Sequence, residues 1–185
     1  MSSLQMPKVD KAIMSKKDKI ALDLRGIINS KNVLSSLDEL RPFETDGLTA
    51  YRQMPLLVVM PETVEEVSQI LKYCNENKIK VVPRGAGTGL SGGSIPLADC
   101  ILLGMGKFNK ILETDFDNRC VVAQPCVTNL AITESVQHKN YYYAPDPSSQ
   151  LACSIGGNVA ENSGGVHSLK SVSYTHLTLP TNREV

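Results

Sequence analysis

The stretch that decides the fold is RGAGTGLSGG, residues 84–93, a glycine-rich loop that directly follows an apolar run. Glycine tolerates positive φ angles and close approach by other atoms, so five glycines within ten residues indicate a functional loop. Consecutive backbone N–H groups in such a loop form a nest that can bind a phosphate without a helix. Thr88 and Ser91 add hydroxyl donors, and Arg84 offers a positive charge.

Two common phosphate-binding loops do not fit this stretch. Residues 87–92 match G-x-G-x-x-G, but the Rossmann motif also needs a helix that opens at the loop. Pro96 and the apolar run at residues 100–103 leave no room for that helix. The Lys-Ser/Thr pair of a P-loop is missing from this stretch as well. The alternative is that this stretch is a flexible Gly/Ser linker. The apolar runs that lie near it on both sides disfavour that interpretation.

A second window, residues 153–165, combines Gly156, Gly157, Gly164 and Gly165 with amide side chains and little charge. We interpret it as a polar loop whose Asn158 and Asn162 donate and accept hydrogen bonds at the edge of a neutral, flat ligand. A turn-rich structural connection is the alternative. The two windows differ in sequence, so they are predicted to be two loops of one site. A dinucleotide, with its pyrophosphate and its ring system, needs both.

Composition narrows the class of protein. The 185 residues contain 19 Lys+Arg and 19 Asp+Glu, and 42% are hydrophobic, which is typical of a globular chain without a basic surface for nucleic acid. The five cysteines are widely spaced without a CxxC pair, which favours reduced thiols over disulfides or a metal site. The N-terminus has no apolar signal segment, and no apolar run approaches the ~18 residues of a spanning helix. We expect a cytoplasmic protein that contacts a membrane, if at all, through partners.

The first half of the chain predicts a βαβ unit. Residues 8–40 have the apolar spacing of amphipathic helix, and residues 41–48 have the Pro, Asp and Gly of a linker. Strands are predicted at residues 56–60 and 79–83, and they should be parallel. A helix of about fourteen residues should connect them. Its predicted apolar face consists of Val64, Val67, Ile70, Leu71 and Cys74.

The second half predicts strands and one clear helix. Strands are expected at residues 100–103, 111–113 and 120–123, with a polar turn between the last two. A helix is expected from Thr128, its N-cap, to Gln137.

Three stretches carry a resemblance to a known family: TDGLTAYRQMPLLVVMPETVEEV (45–67), VPRGAGTGLSGGSIPL (82–97) and YYAPDPSSQLACSIGGNVAENSGGVHSLK (142–170). The chain resembles the FAD-binding domain of the vanillyl-alcohol-oxidase superfamily, also called PCMH-type. Within it, the chain is most similar to the FAD-binding subunits of bacterial glycolate oxidase (dehydrogenase) and to D-lactate dehydrogenases.

The resemblance implies an α+β fold: an N-terminal βαβ-type subdomain and the start of a second, mixed or antiparallel subdomain, truncated. It divides the chain into a helical segment with linker at 1–48, an incomplete FAD-binding domain at 49–170, and a tail at 171–185. The tail, SVSYTHLTLPTNREV, resembles a translated sequencing adapter, so we expect it to be non-native.

The resemblance also implies the cofactor and its ligands. FAD should be non-covalent, because the relatives that attach flavin covalently often do so through a His in the first loop, and this loop has none. Residues 84–92 should wrap the pyrophosphate, and the later segments should line the rest of the cofactor. The full set of implied ligands is Pro83, Arg84, Gly85, Ala86, Gly87, Thr88, Gly89, Leu90, Ser91, Gly92, Pro145, Asp146, Ser148, Ser149, Ser154, Gly156, Gly157, Asn158, Asn162, Gly164 and Gly165.

The implied reaction is oxidation of a 2-hydroxy acid, glycolate to glyoxylate or D-lactate to pyruvate. A base removes the hydroxyl proton while a hydride leaves the carbinol carbon for the flavin. Electrons would pass to an iron–sulfur partner, and a second flavin-domain subunit is expected in the complex. The alternatives are another enzyme of the superfamily, such as a sugar-nucleotide reductase, or a non-catalytic nucleotide-binding or subunit-interaction fragment.

Some positions depart from the family pattern or carry no assigned role. Cys126 stands where relatives have Gly in a QPG turn, and a positive φ there would cost roughly 1 kcal/mol. The family's substrate-binding Arg and catalytic His are expected beyond this chain, so no catalytic residue is assigned, and no metal is expected. His138 and His167 are expected to be ordinary surface or loop residues, and a nucleophilic Cys126 has no nearby base.

Overall fold

The computed structural model describes residues 7–166. The tail at 171–185 and His167 therefore lie outside the described residues. The chain divides into two compact units. Within the described residues, unit 1 consists of residues 7–84 and 89–107, and unit 2 consists of residues 85–88 and 108–166. The glycine-rich loop is thus shared in sequence: residues 85–88 belong to unit 2 and residues 89–93 to unit 1.

Unit 1 is built on a four-stranded sheet. Its strands are β1 (Val33–Leu34), β2 (Leu57–Val59), β3 (Lys80–Arg84) and β4 (Cys100–Gly104), and they lie in the order β1-β2-β4-β3. β2 and β3 are both parallel to β4, and β1 is antiparallel to β2. The predicted βαβ unit is therefore confirmed, with β4 inserted between its two strands.

The central strand β4 is buried along its whole length, as expected for a parallel strand covered on both faces. Its side chains alternate between two apolar clusters. Ile101 and Leu103 pack in the larger cluster with Leu24 and Ile70, whereas Leu102 packs with the smaller cluster. The side-chain alternation of one strand therefore connects the two halves of the core of unit 1.

The helix of the βαβ unit, α4 (Val64–Glu76), begins at Thr63, whose hydroxyl accepts the N–H of Glu66 at 3.2 Å. The predicted helix is confirmed, but its apolar face is narrower than expected. Ile70 and Cys74 are buried, whereas Val64 and Leu71 are 69% and 44% exposed.

The N-terminal segment is only partly helical. It contains α1 (Lys11–Met14), α2 (Lys17–Arg25), α3 (Leu37–Leu40) and two 3₁₀ turns, Ser30–Asn32 and Arg41–Phe43. The prediction of helix throughout residues 8–40 is wrong at β1, which pairs with β2 through Val33 and Val59. Two residues of strand carry no readable periodicity, and their pairing partner lies more than twenty residues away, so tertiary contacts decide this element.

Unit 2 contains an antiparallel hairpin, β5 (Ile111–Asp115) and β6 (Cys120–Ala123), and two helices, α5 (Asn129–Val136) and α6 (Ile155–Glu161). Thr128 caps α5 as predicted, with its hydroxyl accepting the N–H of Ala131 at 3.2 Å. α6 was predicted to be a loop, and this is wrong. The expected α+β class is confirmed, with a parallel βαβ unit followed by antiparallel strands.

Candidate functional site

The most unusual feature of the glycine-rich loop is its unused backbone donors. Among residues 7–166, no group accepts a hydrogen bond from the N–H groups of residues 85–90. These residues are exposed or half-buried, so solvent can reach the six consecutive N–H groups, and a bound anion can accept hydrogen bonds from them. Gly87 and Gly92 have φ angles of +72° and +84°, a region that only glycine enters at low cost.

The side chain of Arg84 turns toward the protein's own carbonyl groups. Its Nη1 donates to Thr45 O at 2.6 Å and Ser94 O at 3.2 Å, and it lies 3.5 Å from Phe43 O. The guanidinium carbon lies 5.9 Å from the centre of the Phe43 ring. Burial lowers the pKa of Arg84, and the nearby Asp46 carboxylate opposes that shift. The Nη1 group of Arg84 is therefore used inside unit 1, and its predicted phosphate contact stays a prediction.

Sequence reasoning missed Asp46, which the structure places against the same loop. Its Oδ2 accepts the N–H of Gly92 at 3.1 Å, and its Oδ1 accepts the N–H of Leu48 at 3.0 Å. The side chain is buried. The available signal was the Asp-Gly pair at 46–47, which we interpreted as a linker turn. A carboxylate that accepts from its own backbone two residues on is typical of such turns.

In unit 2, Gly85 packs against the N-terminus of α6. Ser154 is the N-cap, and its hydroxyl accepts the N–H of Gly157 at 3.3 Å. A Cβ at Gly156 would lie 2.9 Å from Pro125 Cβ, and the Gly156 N–H donates to Pro125 O at 2.8 Å. Gly156 therefore permits close packing against Pro125. The N–H groups of Gly156 and Gly157, in the first turn of α6, already donate to acceptors within unit 2.

Asn158 is buried on α6 and donates from Nδ2 to Asn129 Oδ1 at 3.0 Å. Asn129 in turn donates to Pro145 O at 2.5 Å. This chain of amides links α6, α5 and the segment PDPSS (145–149). Asn158 was predicted to bind the ligand edge, but the structure gives its NH₂ group an internal partner.

Asn162 differs from Asn158 in one respect that matters for binding. Its backbone is left-handed at φ +52°, where it ends α6. Its side-chain Oδ1 is buried and finds no hydrogen-bond donor among residues 7–166. An unpaired buried carbonyl costs about 1–3 kcal/mol. Asn162 is therefore a predicted ligand with a buried side-chain oxygen that can accept a hydrogen bond from a cofactor.

The remaining predicted ligands are accounted for as follows. Asp146 and Gly165 form a parallel bridge, and the Asp146 N–H donates to Gly164 O at 3.0 Å, so these bonds join the PDPSS segment to the residues that follow α6. Ser148 is exposed and Ser149 partly so. In the first loop, some predicted ligands are exposed at least in part: Pro83, Ala86, Thr88, Leu90 and Ser91.

Cys126 causes none of the expected backbone strain, because its φ angle is not positive. Burial raises the pKa of its thiol, and a hydrogen bond with Ser154 opposes that shift. A raised pKa disfavours the thiolate, so the structure gives no support to a nucleophilic role. Among residues 7–166, no cluster of His, Cys, Asp or Glu could hold a metal ion.

Unit 2 also contains an open cavity of about 430 Å³ between the hairpin and the helices. Tyr141, Tyr142 and Tyr143 line it together with Cys120 and Ile155. None of the predicted cofactor ligands lines this cavity. Its walls are mainly apolar and aromatic, with Thr114, Asp115 and Arg119 among its polar lining residues.

The sequence and the fold together define a family. Residues 55–179 match the family described as FAD binding domain, and this chain belongs to that family, whose cofactor is FAD. Its curated relatives include the glycolate oxidase subunit GlcD of Escherichia coli (strain K12), 49% identical over 171 residues, which cover 92% of this chain and 34% of that protein. The D-lactate dehydrogenase of Anaerostipes hadrus is 34% identical, again over 92% of this chain and 34% of that protein.

The chain therefore spans about a third of the length of these relatives. Among solved structures, alkyldihydroxyacetonephosphate synthase superposes with a TM-score of 0.72 at 19% identity, covering 91% of this chain and 32% of that one. This likeness concerns the fold, which is that of PCMH-type flavoenzymes, as the resemblance implied.

The residues present fit FAD. A dinucleotide needs donors for its pyrophosphate, and the row of unpaired N–H groups at residues 85–90 offers them. It also needs polar partners for its rings and sugars, and the unpaired Asn162 Oδ1 can accept a hydrogen bond. Within residues 7–166, no helix is long and apolar enough to cross a membrane.

Proposed function

We propose that this chain is the FAD-binding portion of a flavin-dependent 2-hydroxy-acid dehydrogenase that oxidises glycolate to glyoxylate, or D-lactate to pyruvate. The observation that carries the proposal is the row of unpaired N–H groups at residues 85–90, in a chain 49% identical to a glycolate oxidase subunit. The GlcD and D-lactate dehydrogenase relatives support the substrate class.

In this proposal, the chain's own residues bind and orient. The N–H groups of residues 85–90 donate to the phosphate oxygens, and Asn162 Oδ1 accepts from the cofactor. The segments at 145–149 and 154–165 line the rest of FAD, held non-covalently, within a domain that runs from residue 49 to residue 170. The chemistry that FAD supplies is acceptance of the hydride from the carbinol carbon of the substrate.

The base that removes the hydroxyl proton and the group that binds the substrate carboxylate belong, in this proposal, to sequence outside this chain. We further propose an iron–sulfur partner subunit and a second flavin-domain subunit, because GlcD is a subunit of glycolate oxidase. The location we propose is the cytoplasm, peripheral to the inner membrane through those partners.

Two preparations test this function. The first is a chimera in which residues 1–170 replace the matched third of Escherichia coli GlcD, assayed in the assembled complex for dye reduction with glycolate and with D-lactate. We expect a flavin absorbance band and turnover with at least one acid. A chimera that is folded, colourless and inactive would refute the proposal.

The second preparation is the 185-residue chain alone, titrated with FAD. A second candidate function is a nucleotide-binding module without catalysis, which the same row of N–H groups at residues 85–90 would also serve. The two functions differ in the chimera: a binding module retains FAD there but gives no turnover with either acid. Turnover by the 185-residue chain itself would contradict both.

A further inference from the structure

The loop's second half, residues 89–94, is held by a separate segment of unit 1, residues 43–48. The Gly47 N–H donates to Gly89 O at 3.0 Å, and Asp46 Oδ2 accepts the N–H of Gly92 at 3.1 Å. Both bonds span more than forty residues of sequence. Gly92 has a left-handed backbone, and glycine can adopt many backbone conformations. The hydrogen bond from the Gly92 N–H to Asp46 therefore fixes the loop at one of its most flexible residues.

Arg84 fastens the same two segments from the end of β3. Its Nη1 reaches Thr45 O in the holding segment and Ser94 O at the end of the loop. The guanidinium is buried and stacks near Phe43. Arginine presents several donors in a rigid plane, so one side chain can hold two backbone segments at once. Asp46 and Arg84 therefore both tie the loop to residues 43–48, Asp46 as a hydrogen-bond acceptor and Arg84 as a donor.

A buried carboxylate beside an anion-binding loop needs an explanation, since it repels phosphate. Asp46 has both oxygens occupied by N–H groups, from Leu48 and Gly92. The positive charge of Arg84 lies close enough to interact with it electrostatically. Burial still lowers the pKa of Arg84, and the opposite charge of Asp46 offsets part of that cost.

We infer that Asp46 and Arg84 are positioning residues for the FAD site: together they hold residues 89–94 in the conformation that receives the cofactor, without touching it. The inference rests on the proposed function, because it assigns these residues to the loop that binds FAD. Preorganisation of this kind raises affinity by removing the cost of ordering the loop on binding.

The test compares Asp46→Ala and Asp46→Asn with the matched control Asp10→Ala in the 185-residue chain. Asp10, also in unit 1, accepts two backbone N–H groups, from Ala12 and Ile13, but has no contact with the loop. Two quantities are measured: amide hydrogen exchange of residues 89–94 without cofactor, and the dissociation constant for FAD from quenching of its fluorescence.

Loss of a hydrogen bond to a charged acceptor should raise the dissociation constant of Asp46→Ala about tenfold. In the same variant the amides of residues 89–94, and that of Gly92 most of all, should exchange at least about tenfold faster than in the wild type. Asp46→Asn, which keeps one acceptor oxygen, should lie between Asp46→Ala and the wild type. Asp10→Ala should lower the unfolding temperature while the dissociation constant and the exchange of residues 89–94 stay at wild-type values.

Wild-type exchange in Asp46→Ala and Asp46→Asn would overturn the inference, and so would unchanged FAD affinity in both. If Asp46→Ala does not fold, Asp46→Asn decides alone. Failure of the wild-type chain and of the chimera to bind FAD would refute the proposed function. The exchange of Gly92 would then still show whether Asp46 holds the loop, so the two failures are distinguishable.

Discussion

The backbone of Gly85 lies directly against the side chain of Ser154 in unit 2. A Cβ built at Gly85 would overlap Ser154 Oγ and come within 3.2 Å of Ser154 Cβ and 3.8 Å of Cys126 Sγ. Ser154 cannot turn away freely, because its hydroxyl caps α6 through Gly157. Gly85 of the first glycine-rich window and Ser154 of the second window are therefore in contact within unit 2.

This contact predicts the effect of adding a single methyl group. Gly85→Ala should lower the free energy of unfolding by about 1–3 kcal/mol, because the new Cβ forces Ser154 out of its capping position. Denaturant unfolding measures the loss. The matched control is Gly106→Ala, whose Cβ would meet Met60 Cε at an ordinary 3.8 Å and should change stability by less than about 0.5 kcal/mol. Equal stability of the two variants would contradict the contact.

The elements that sequence reasoning recovered are those with strong local signals. The buried runs of β2 and β4, the capped helix α5 and the hairpin all follow from apolar pattern or cap chemistry. α6 was missed because Gly156 and Gly157 stand in its first turn, where glycine lowers helix propensity. Ser154 as N-cap and Asn162 as a left-handed end were its readable signals.

The candidate site was recovered less completely than the fold. The loop itself was recognised from its glycines, but the direction of a long side chain is not encoded locally. Arg84 was therefore expected to face a ligand, whereas its guanidinium binds carbonyl groups up to 41 residues away in sequence. The role of Asp46 depends on the same tertiary contact, since its partner Gly92 is 46 residues distant.

Asn162 and Asn158 should respond in opposite ways to truncation. Asn162→Gly keeps the left-handed turn and removes a buried, unpaired carbonyl, so stability should be unchanged or slightly higher. FAD affinity should fall about tenfold if the cofactor is the missing donor. Asn158→Ala leaves Asn129 Oδ1 without its partner and should cost about 1–3 kcal/mol of stability. Thermal unfolding and FAD titration of both variants separate the roles.

The result that would exclude a cofactor contact for Asn162 is wild-type FAD affinity in a folded Asn162→Gly chain. Loss of stability in that variant would instead show that its amide supports the end of α6. Either outcome leaves the Asn158 prediction unchanged, because that prediction rests on the hydrogen bond between Asn158 and Asn129.

Acid should weaken unit 1 through Asp99. This buried carboxylate accepts from Lys80 Nζ and from the Asp10 N–H, each at 2.8 Å. Burial alone would raise its pKa, but these two bonds outweigh burial and lower the pKa below the ordinary 3.8. The stabilisation is therefore present above about pH 4 and is lost as the pH falls through the lowered value.

Asp99→Asn removes that titration and tests its sign. At neutral pH the variant should be about 1 kcal/mol less stable than the wild type, toward the lower end of the usual range because Lys80 is 44% exposed and screened by water. The difference should shrink as the pH falls from about 4 through the lowered pKa, where the carboxyl of the folded wild type becomes protonated too. Unfolding by denaturant at several pH values measures it, and a gap that widens in acid would contradict the assignment.

Thiol labelling distinguishes the cysteines, because burial controls their reactivity. Cys120 is exposed, whereas burial raises the pKa of Cys74 and of Cys100 to about 11 and Cys153 is also buried. With an alkylating reagent at pH 8, Cys120 should therefore react first, and the buried thiols only after denaturation. Cys120→Ser should remove the fast phase. Because Cys120 lines the aromatic cavity and not the predicted cofactor site, saturating FAD should leave its rate unchanged. Protection by FAD would place the cofactor in that cavity.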